Sequence, residues 1–395
     1  MSEHQRTQML ADLGPSDRVA RRMLGLSCSL ILLMLFAQGL LCTGLIVTDN
    51  LLARPGTAVL ALAAACGLAL PYLGVILWLD RNEPEPPWLL ATAFAWGAVG
   101  ATSLSLFGNG LLGGFFVGLL GEGPLAGQLT ASLSAPLVEE SSKALALVVI
   151  YLMFRNHFDN VLDGIVYGAL VGLGFAVFEN FTYYMRPDHV IGTFVSIWVR
   201  GVVTAPGTHI CFTAITGAFL GMFRVRRAGA GRMLLPPLGI ALAMFAHFVW
   251  NTLTLFFSTG DYLGDLVIGF PLAVLFLQVP FIAMVLLTAA IALRHERRII
   301  ETYLAQEQPP VAWPQELGRI VPARLRTFHG LRLILLFRFG TAWLVRRRNR
   351  LLVQLAFEKW HMDREAALGD DGARDHALQV RELRRKLSAL PAPPA

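Results

Sequence analysis

Long apolar segments separated by short polar ones fill the first three-quarters of the chain. Eight of them approach or exceed the roughly 20 residues that a helix needs to cross a bilayer. They are residues 23–47, 57–79, 88–107, 133–154, 161–184, 191–223, 233–257 and 266–293. A soluble core does not need so many uninterrupted apolar segments. The pattern predicts an all-α polytopic membrane protein with about eight transmembrane helices.

Two parts of this pattern depart from a simple series of spans. Residues 108–132 are rich in glycine and only moderately apolar, which indicates an outer loop or a re-entrant turn. Segment 191–223 is roughly half again as long as one span requires. We expect Pro206 to separate an outer, interfacial stretch from the true span.

Arginine clusters orient the predicted spans. They precede the first span (18–22), follow the sixth (224–232) and follow the eighth (294–298), and cytoplasmic loops carry such an excess. We therefore predict a cytoplasmic N-terminal segment (1–22), a transmembrane core (23–293) and a basic, helical cytoplasmic tail (294–395). The stretch 331–345 in this tail predicts an amphipathic helix on the inner membrane face. The tail suits docking to the inner leaflet or recruitment of a cytoplasmic partner.

Composition supports the membrane assignment and limits the partners. The chain is 55% hydrophobic and 15% charged, against about 25% charged in soluble domains. Its net charge of +6 comes with the tail and loops. We attribute this charge to topology and to attraction by anionic lipids, and expect no nucleic-acid partner.

Ionisable and amide side chains interrupt four consecutive spans. They are Glu139, Glu140, Lys143, Glu179, Asn180, His209, His247 and Asn251. Because consecutive spans alternate in direction, these groups all fall roughly 7–15 Å below the outer boundary at a rise of 1.5 Å per residue. An unpaired charge in a span costs at least ~2.5–3.5 kcal/mol on insertion scales. The common depth predicts a water-filled pocket between spans four and seven, open toward the outer leaflet.

Helical spacing brings these groups together within each span. Lys143 lies four residues after Glu139 and three after Glu140, so it can pair with either. His247 and Asn251 share a face at the same four-residue spacing. In span five, small residues recur every four positions before Asn180, a pattern suited to close helix packing.

The residue types favour hydrolysis of an amide bond within the membrane. A carboxylate pair beside a lysine can hold one ionised and one protonated carboxyl, as a general base acting on water requires. Histidine and asparagine N–H groups can donate to a developing oxyanion. The same glutamates and histidines could instead bind zinc. A proton-coupled transporter and a non-catalytic scaffold are the rival classes, but no inverted repeat indicates a transporter.

Four short motifs resemble those of the PrsW family of intramembrane proteases, relatives of the CAAX prenyl protease and bacteriocin-immunity superfamily. EESSK (139–143) resembles EExxK, and FAVFEN (175–180) resembles FxxxEN. HICFTAITG (209–217) is similar to HxxxxxxxG, and HFVWN (247–251) to HxxWN. The acidic, proline-rich DRNEPEPP (80–87) is also similar to a stretch common in the family. The resemblance covers about residues 70–293.

The resemblance implies an intramembrane endopeptidase of the bacterial cytoplasmic membrane. Its substrate would be a membrane-anchored protein, typically an anti-sigma factor cut during stress signalling. Carried over from the CAAX relatives, Glu139 becomes the base, and His247 and Asn251 become the oxyanion donors. Those relatives have a histidine at the position of Glu179, which leaves Glu179 as a proton shuttle, a second water ligand or a metal ligand.

Hydrolysis could proceed with or without a metal ion. Zinc could take ligands from Glu139, Glu179, His209 and His247. Zinc-bound histidines usually have an outer carboxylate or carbonyl on their other nitrogen. The spare carboxylate, Glu140, already lies beside Lys143. We therefore expect a glutamate-based mechanism with no cofactor, whose activity survives strong chelators.

Overall fold

The computed structural model describes residues 15–204, 207–226, 229–322, 332, 335–336, 339–368 and 372–392. These residues form helices and short helical turns, with no strand among them. The helices are α1 (Pro15–Ala53), α2 (Pro55–Leu79), α3 (Pro87–Leu120), α4 (Pro124–Leu129, Thr130–Ser134 and Ala135–Met153 in unbroken succession), α5 (Val161–Tyr184), α6 (Val190–Ser196 with Ile197–Val203), α7 (Gly207–Val225), α8 (Leu235–Leu253), α9 (Asp265–Leu304), α10 (Pro314–Ile320), α11 (Phe339–Leu368) and α12 (Gly372–Ser388). The all-α prediction is confirmed.

Six stretches of helix in the described residues are long and apolar enough to cross a membrane. They are Leu32–Ala53, Pro55–Leu79, Pro87–Leu120, Val161–Tyr184, Val190–Val225 and Asp265–Leu304. The other two predicted spans correspond to α4 and α8. Three charged side chains in α4, and prolines with a histidine and an asparagine in α8, reduce the apolar character of these two helices. The count of eight and the cytoplasmic position of both termini stay predictions.

The interpretation of residues 108–132 as an outer loop is wrong, whereas the alternative of a re-entrant turn stays a prediction. These residues complete α3 and begin α4, and the two helices are joined by a turn at Gly121, whose φ is +79°. The glycines serve helix packing instead. Gly108 faces Val138 so closely that an added Cβ would lie 2.5 Å from its side chain, and Gly113 faces Thr130 in the same way at 3.3 Å. A glycine-rich sequence can thus remain helical where a neighbouring helix approaches closely.

Helix α5 is the centre of the membrane unit. Its apolar stretch is 83% buried, against 11% for α3. The predicted small-residue stripe lies on α7, where a Cβ on Gly164, Gly168 or Gly172 would meet main-chain oxygens of α7 at 2.0–2.4 Å. The α5–α7 contact is therefore backbone to backbone. This close contact fixes Gly172, near the middle of α5, against the first turn of α7.

The long sixth segment is divided where the sequence predicted. Helix α6 ends at Val203 and α7 begins at Gly207. Residues 205 and 206, including the proline, lie outside the described residues. The interfacial position of α6 stays a prediction.

The chain divides into two compact units. One is Ser29–Ala290, and the other contains the described residues from Ile291 onward together with those of the N-terminal region up to Cys28. In the C-terminal region α9 to α12 enclose a hydrophobic core of their own, which includes Leu304, Ile320, Leu352 and Leu387. Much of the stretch 331–345 lies outside the described residues, so its interfacial placement stays a prediction.

Candidate active site

Helices α4, α5, α7 and α8 bring their polar groups to one cavity of about 370 Å³. Six of the eight predicted residues line it: Glu139, Glu179, Asn180, His209, His247 and Asn251. Glu140 and Lys143 are fully buried behind the cavity wall. The predicted convergence of the four helices is therefore observed.

Lys143 connects the EESSK motif on α4 with the motif that begins at His209 on α7. Its Nζ donates to Glu140 Oε1 at 2.8 Å and lies 3.0 Å from His209 Nδ1. Glu139 Oε2 is 3.6 Å away, and the ring of Phe175 packs 3.8 Å from the ammonium. A buried ammonium is tolerated only when it is paired and hydrogen-bonded. Lys143 thus holds carboxylates from α4 and an imidazole from α7 in fixed positions.

The contacts of the two histidines determine which ring nitrogen carries the proton. His247 Nδ1 lies 3.0 Å from Glu140 Oε1, and an ionised carboxylate only accepts, so Nδ1 donates. In the neutral ring this leaves a lone pair on Nε2. His209 Nδ1 accepts from the ammonium of Lys143, so its Nε2 donates to Glu179 Oε2 at 2.8 Å. The two histidines therefore present opposite tautomers.

Arg200 in α6 belongs to the site and was missed from the sequence. Its Nη2 donates to Glu179 Oε2 at 2.7 Å, and its Nε donates to Asn180 Oδ1 at 3.3 Å. Its guanidinium packs 3.4 Å from the ring of Tyr183. A lone arginine inside the apolar segment 191–223 was the available signal. It was overlooked because that segment was interpreted as interfacial.

Two asparagines have positions that the sequence did not predict. Asn251 Nδ2 donates to the main-chain oxygen of Ala131 at 2.8 Å, which engages one N–H of the predicted oxyanion donor. Asn109 Nδ2 lies 3.3 Å from Glu139 Oε1, and Asn109 Oδ1 accepts from the Ser134 hydroxyl at 2.8 Å. Asn109 was missed because it lies in the glycine-rich stretch interpreted as a loop.

Three residues in the cavity fit a metal. Glu139, His209 and His247 each offer one ligand atom, and these atoms lie within 4.8 Å of one another. Glu139 Oε2 is buried without a hydrogen-bond partner among the described residues, and His247 Nε2 also has none. Glu140 supplies the outer carboxylate on His247 Nδ1, although it pairs with a lysine as well. Two imidazoles and a carboxylate are donors that zinc accepts. Glu179 lies outside this set.

The comparisons with known proteins identify the family of this chain. The model of the PrsW family, described as intramembrane metalloproteases, matches residues 85–287, about half of the 395-residue chain. This stretch contains all four motifs. The chain belongs to the PrsW family.

Three relatives are each named Protease PrsW. The protein of Clostridioides difficile (strain 630) is 36% identical over 90 residues, which are 23% of this chain and 37% of the relative. That of Geobacillus kaustophilus (strain HTA426) is 32% identical over 137 residues, 34% of this chain and 56% of the relative. That of Bacillus subtilis (strain 168) is 31% identical over 174 residues, 42% of this chain and 69% of the relative.

The chain spans well under two thirds of the length of the first two of these PrsW proteins. No solved structure matches this chain. Family membership and the apolar helices identify a multi-pass bacterial membrane protein.

Proposed function

We propose that this PrsW-family protein is an intramembrane endopeptidase that hydrolyses a peptide bond in a membrane-anchored protein. The observation that carries the proposal is the meeting of Glu139, His209 and His247 at one cavity between apolar helices. Their side chains come from three different motifs and three different helices. A purely structural role would not require a buried carboxylate oxygen without a hydrogen-bond partner.

Glu139 is the proposed general base. Its Oε1 accepts from Asn109, which holds the carboxylate in place, and its Oε2 faces no donor other than the nearby ammonium of Lys143. Such a carboxylate can take a proton from a water molecule in the cavity. Glu140 is already shared between Lys143 and His247 and serves to position them.

Zinc is the cofactor that the donor set fits: Glu139, His209 and His247 would hold it, and Glu139 would then be a ligand of the metal instead of the general base. When bound, zinc would polarise the scissile carbonyl and make a bound water more acidic. The sequence favoured a metal-free mechanism, with His247 as an oxyanion donor. The tautomer inferred for His247 from its contact with Glu140 shifts the proposal toward zinc, because its Nε2 would offer a lone pair and no hydrogen.

Metal-free hydrolysis is the second candidate, and one contact favours it. Both nitrogens of His209 are engaged, one by Lys143 and the other by Glu179. A metal ion on His209 would have to replace one of these partners. A water molecule activated by Glu139 alone needs no such rearrangement.

The test is reconstitution of the purified protein in lipid with a single-pass membrane substrate, for which an anti-sigma factor is the first choice. We expect cleavage by the wild-type protein and loss of at least about 10³-fold in Glu139→Gln, because the amide keeps the shape and loses the base. Glu122→Gln is the matched control, since Glu122 is exposed in the α3–α4 turn. Near wild-type turnover of Glu139→Gln would refute Glu139 as the base, whereas absence of cleavage by the wild-type protein would favour the transporter or scaffold class.

Metal removal distinguishes the two hydrolytic candidates. We expect that a strong chelator abolishes cleavage, that zinc restores it, and that the purified protein holds about one zinc ion per chain. His247→Ala should lose the zinc, as measured by elemental analysis. Full activity of a protein shown to be free of metal would decide for the metal-free mechanism.

A further inference from the structure

Arg200 is the single cationic side chain among the described residues that line the cavity. Its position is held from three directions, by Glu179, by Asn180 and by the ring of Tyr183. Arg186 packs 3.5 Å from the same ring. The two guanidiniums therefore pack on the same ring, but only that of Arg200 also contacts a carboxylate.

One donor group of this guanidinium has no partner. Nη2 and Nε are engaged, whereas Nη1 has no hydrogen-bond partner among the described residues. The side chain of Arg200 is 28% exposed, so it reaches the open part of the cavity. Arg200 Nη2 and His209 Nε2 contact the same oxygen at 2.7 and 2.8 Å, which places them within 5.5 Å of each other.

The other donors of the cavity are less available. In the tautomer inferred from its contact with Glu140, His247 has no hydrogen on Nε2, and one N–H of Asn251 is held by Ala131. Lys143 lies behind the wall, with contacts to two glutamates and a histidine. A peptide carbonyl entering the cavity therefore finds a charged donor already fixed in place at Arg200.

We propose that Arg200 Nη1 donates to the oxygen of the scissile carbonyl and stabilises the oxyanion that forms there. The inference rests on the proposed peptidase function. In the metal-free form of the reaction, a water proton passes to Glu139, the water oxygen bonds to the carbonyl carbon, and the carbonyl π electrons move to the oxygen. The charge of Glu139 is thereby transferred to the oxyanion, close to a cation already fixed in place, so little reorganisation is needed.

The experiment compares Arg200→Gln and Arg200→Lys with Arg186→Gln in the reconstituted cleavage assay. Arg186→Gln is a matched control, because it removes a guanidinium from the same tyrosine but from no carboxylate. We expect kcat to fall about 10²–10³-fold in Arg200→Gln with little change in KM. Arg200→Lys should recover only part of the lost kcat, because one ammonium cannot hold Glu179 and also reach the substrate. The control should stay within about threefold.

A binding measurement separates stabilisation of the oxyanion from positioning of Glu179. A peptide trifluoromethyl ketone, which hydrates to a tetrahedral diol, should bind about 10²-fold more weakly to both Arg200 variants, whereas the matching amide peptide should bind nearly as well as before. Equal weakening of both ligands, or a kcat of Arg200→Gln close to wild type, would overturn the proposal. A wild-type protein that cleaves nothing would instead refute the peptidase function itself.

Discussion

Two clusters of acidic side chains lie near the two ends of helix α5, and they are built differently. Near its C-terminus, Glu179 contacts a guanidinium and an imidazole. Near its N-terminus, Asp163 lies with Asp80 and Glu85, all buried. Within the described part of the chain these three acids contact no lysine or arginine. Sixteen residues of helix, about 24 Å, separate the two levels.

Neutral donors serve the acidic cluster in place of cations. Tyr167 donates its hydroxyl to Glu85 at 2.7 Å, and the main-chain N–H groups of residues 159 and 160 donate to Asp163 at 3.0 Å. His157 Nδ1 lies 3.5 Å from Glu85 and is 43% exposed. Burial raises the pKa of Glu85 to about 9 and that of Asp80 to about 7. In one cluster opposite charges face each other, whereas in the other burial favours the protonated forms of Asp80 and Glu85.

We expect the largest change in stability when the cation is removed from the cluster near the C-terminus of α5. Lys143→Met leaves Glu140 buried without its ammonium, which should cost about 3–5 kcal/mol of stability. Cleavage should fall as well, although Met still allows insertion. Thermal unfolding in detergent measures the change.

A double variant tests whether the lost pairing is the cause. Glu140→Gln added to Lys143→Met removes the uncompensated charge and should restore most of the stability. The two effects would simply add if the lysine acted only through its packing on Phe175. Additive effects would therefore contradict the pairing explanation.

A smaller effect is expected at the acidic cluster, and it depends on pH. The folded protein keeps a proton on Glu85 that the unfolded chain loses near pH 4.5, so stability falls as the pH rises from about 4.5 to about 9, by at most about 1.4 kcal/mol per pH unit. Glu85→Gln should flatten this slope and stabilise the protein at pH 8. Its carboxamide oxygen can still accept from Tyr167.

The control for this prediction is Glu122→Gln, whose carboxyl is exposed. It should leave the pH dependence of unfolding unchanged. Asp80 remains in Glu85→Gln and should retain a weaker slope up to about pH 7. An unaltered pH profile in Glu85→Gln would show that Glu85 is ionised in the folded protein.

The smallest effect is expected from the C-terminal region. Every residue that lines the cavity lies between positions 131 and 270. Truncation after Leu304 should therefore leave kcat within about threefold, provided that insertion is checked first. Loss of cleavage by a correctly inserted, truncated protein would show that the tail takes part in the reaction.

Most of the helices and most of the site could be predicted because each rests on local sequence. Apolar length predicts a span, and the i, i+4 spacing of His247 and Asn251 predicts a shared face. Residues 108–132 escaped the prediction because the role of their glycines depends on a neighbouring helix. Arg200 and Asn109 were not predicted as site residues, because their partners lie 20 or more positions away in the chain.

The sequence by itself determined which chemistry is present: carboxylates, imidazoles and one lysine, placed in helices where an unpaired charge is too costly to keep without a partner. Only the tertiary structure decided how those groups are shared. Glu140 holds Lys143 and His247 at once, and Glu179 joins His209 to Arg200. Hydrogen-bond partners between helices depend on how closely the backbones pack, and here glycines on α5 set that distance. Which nitrogen of each histidine is free therefore follows from packing.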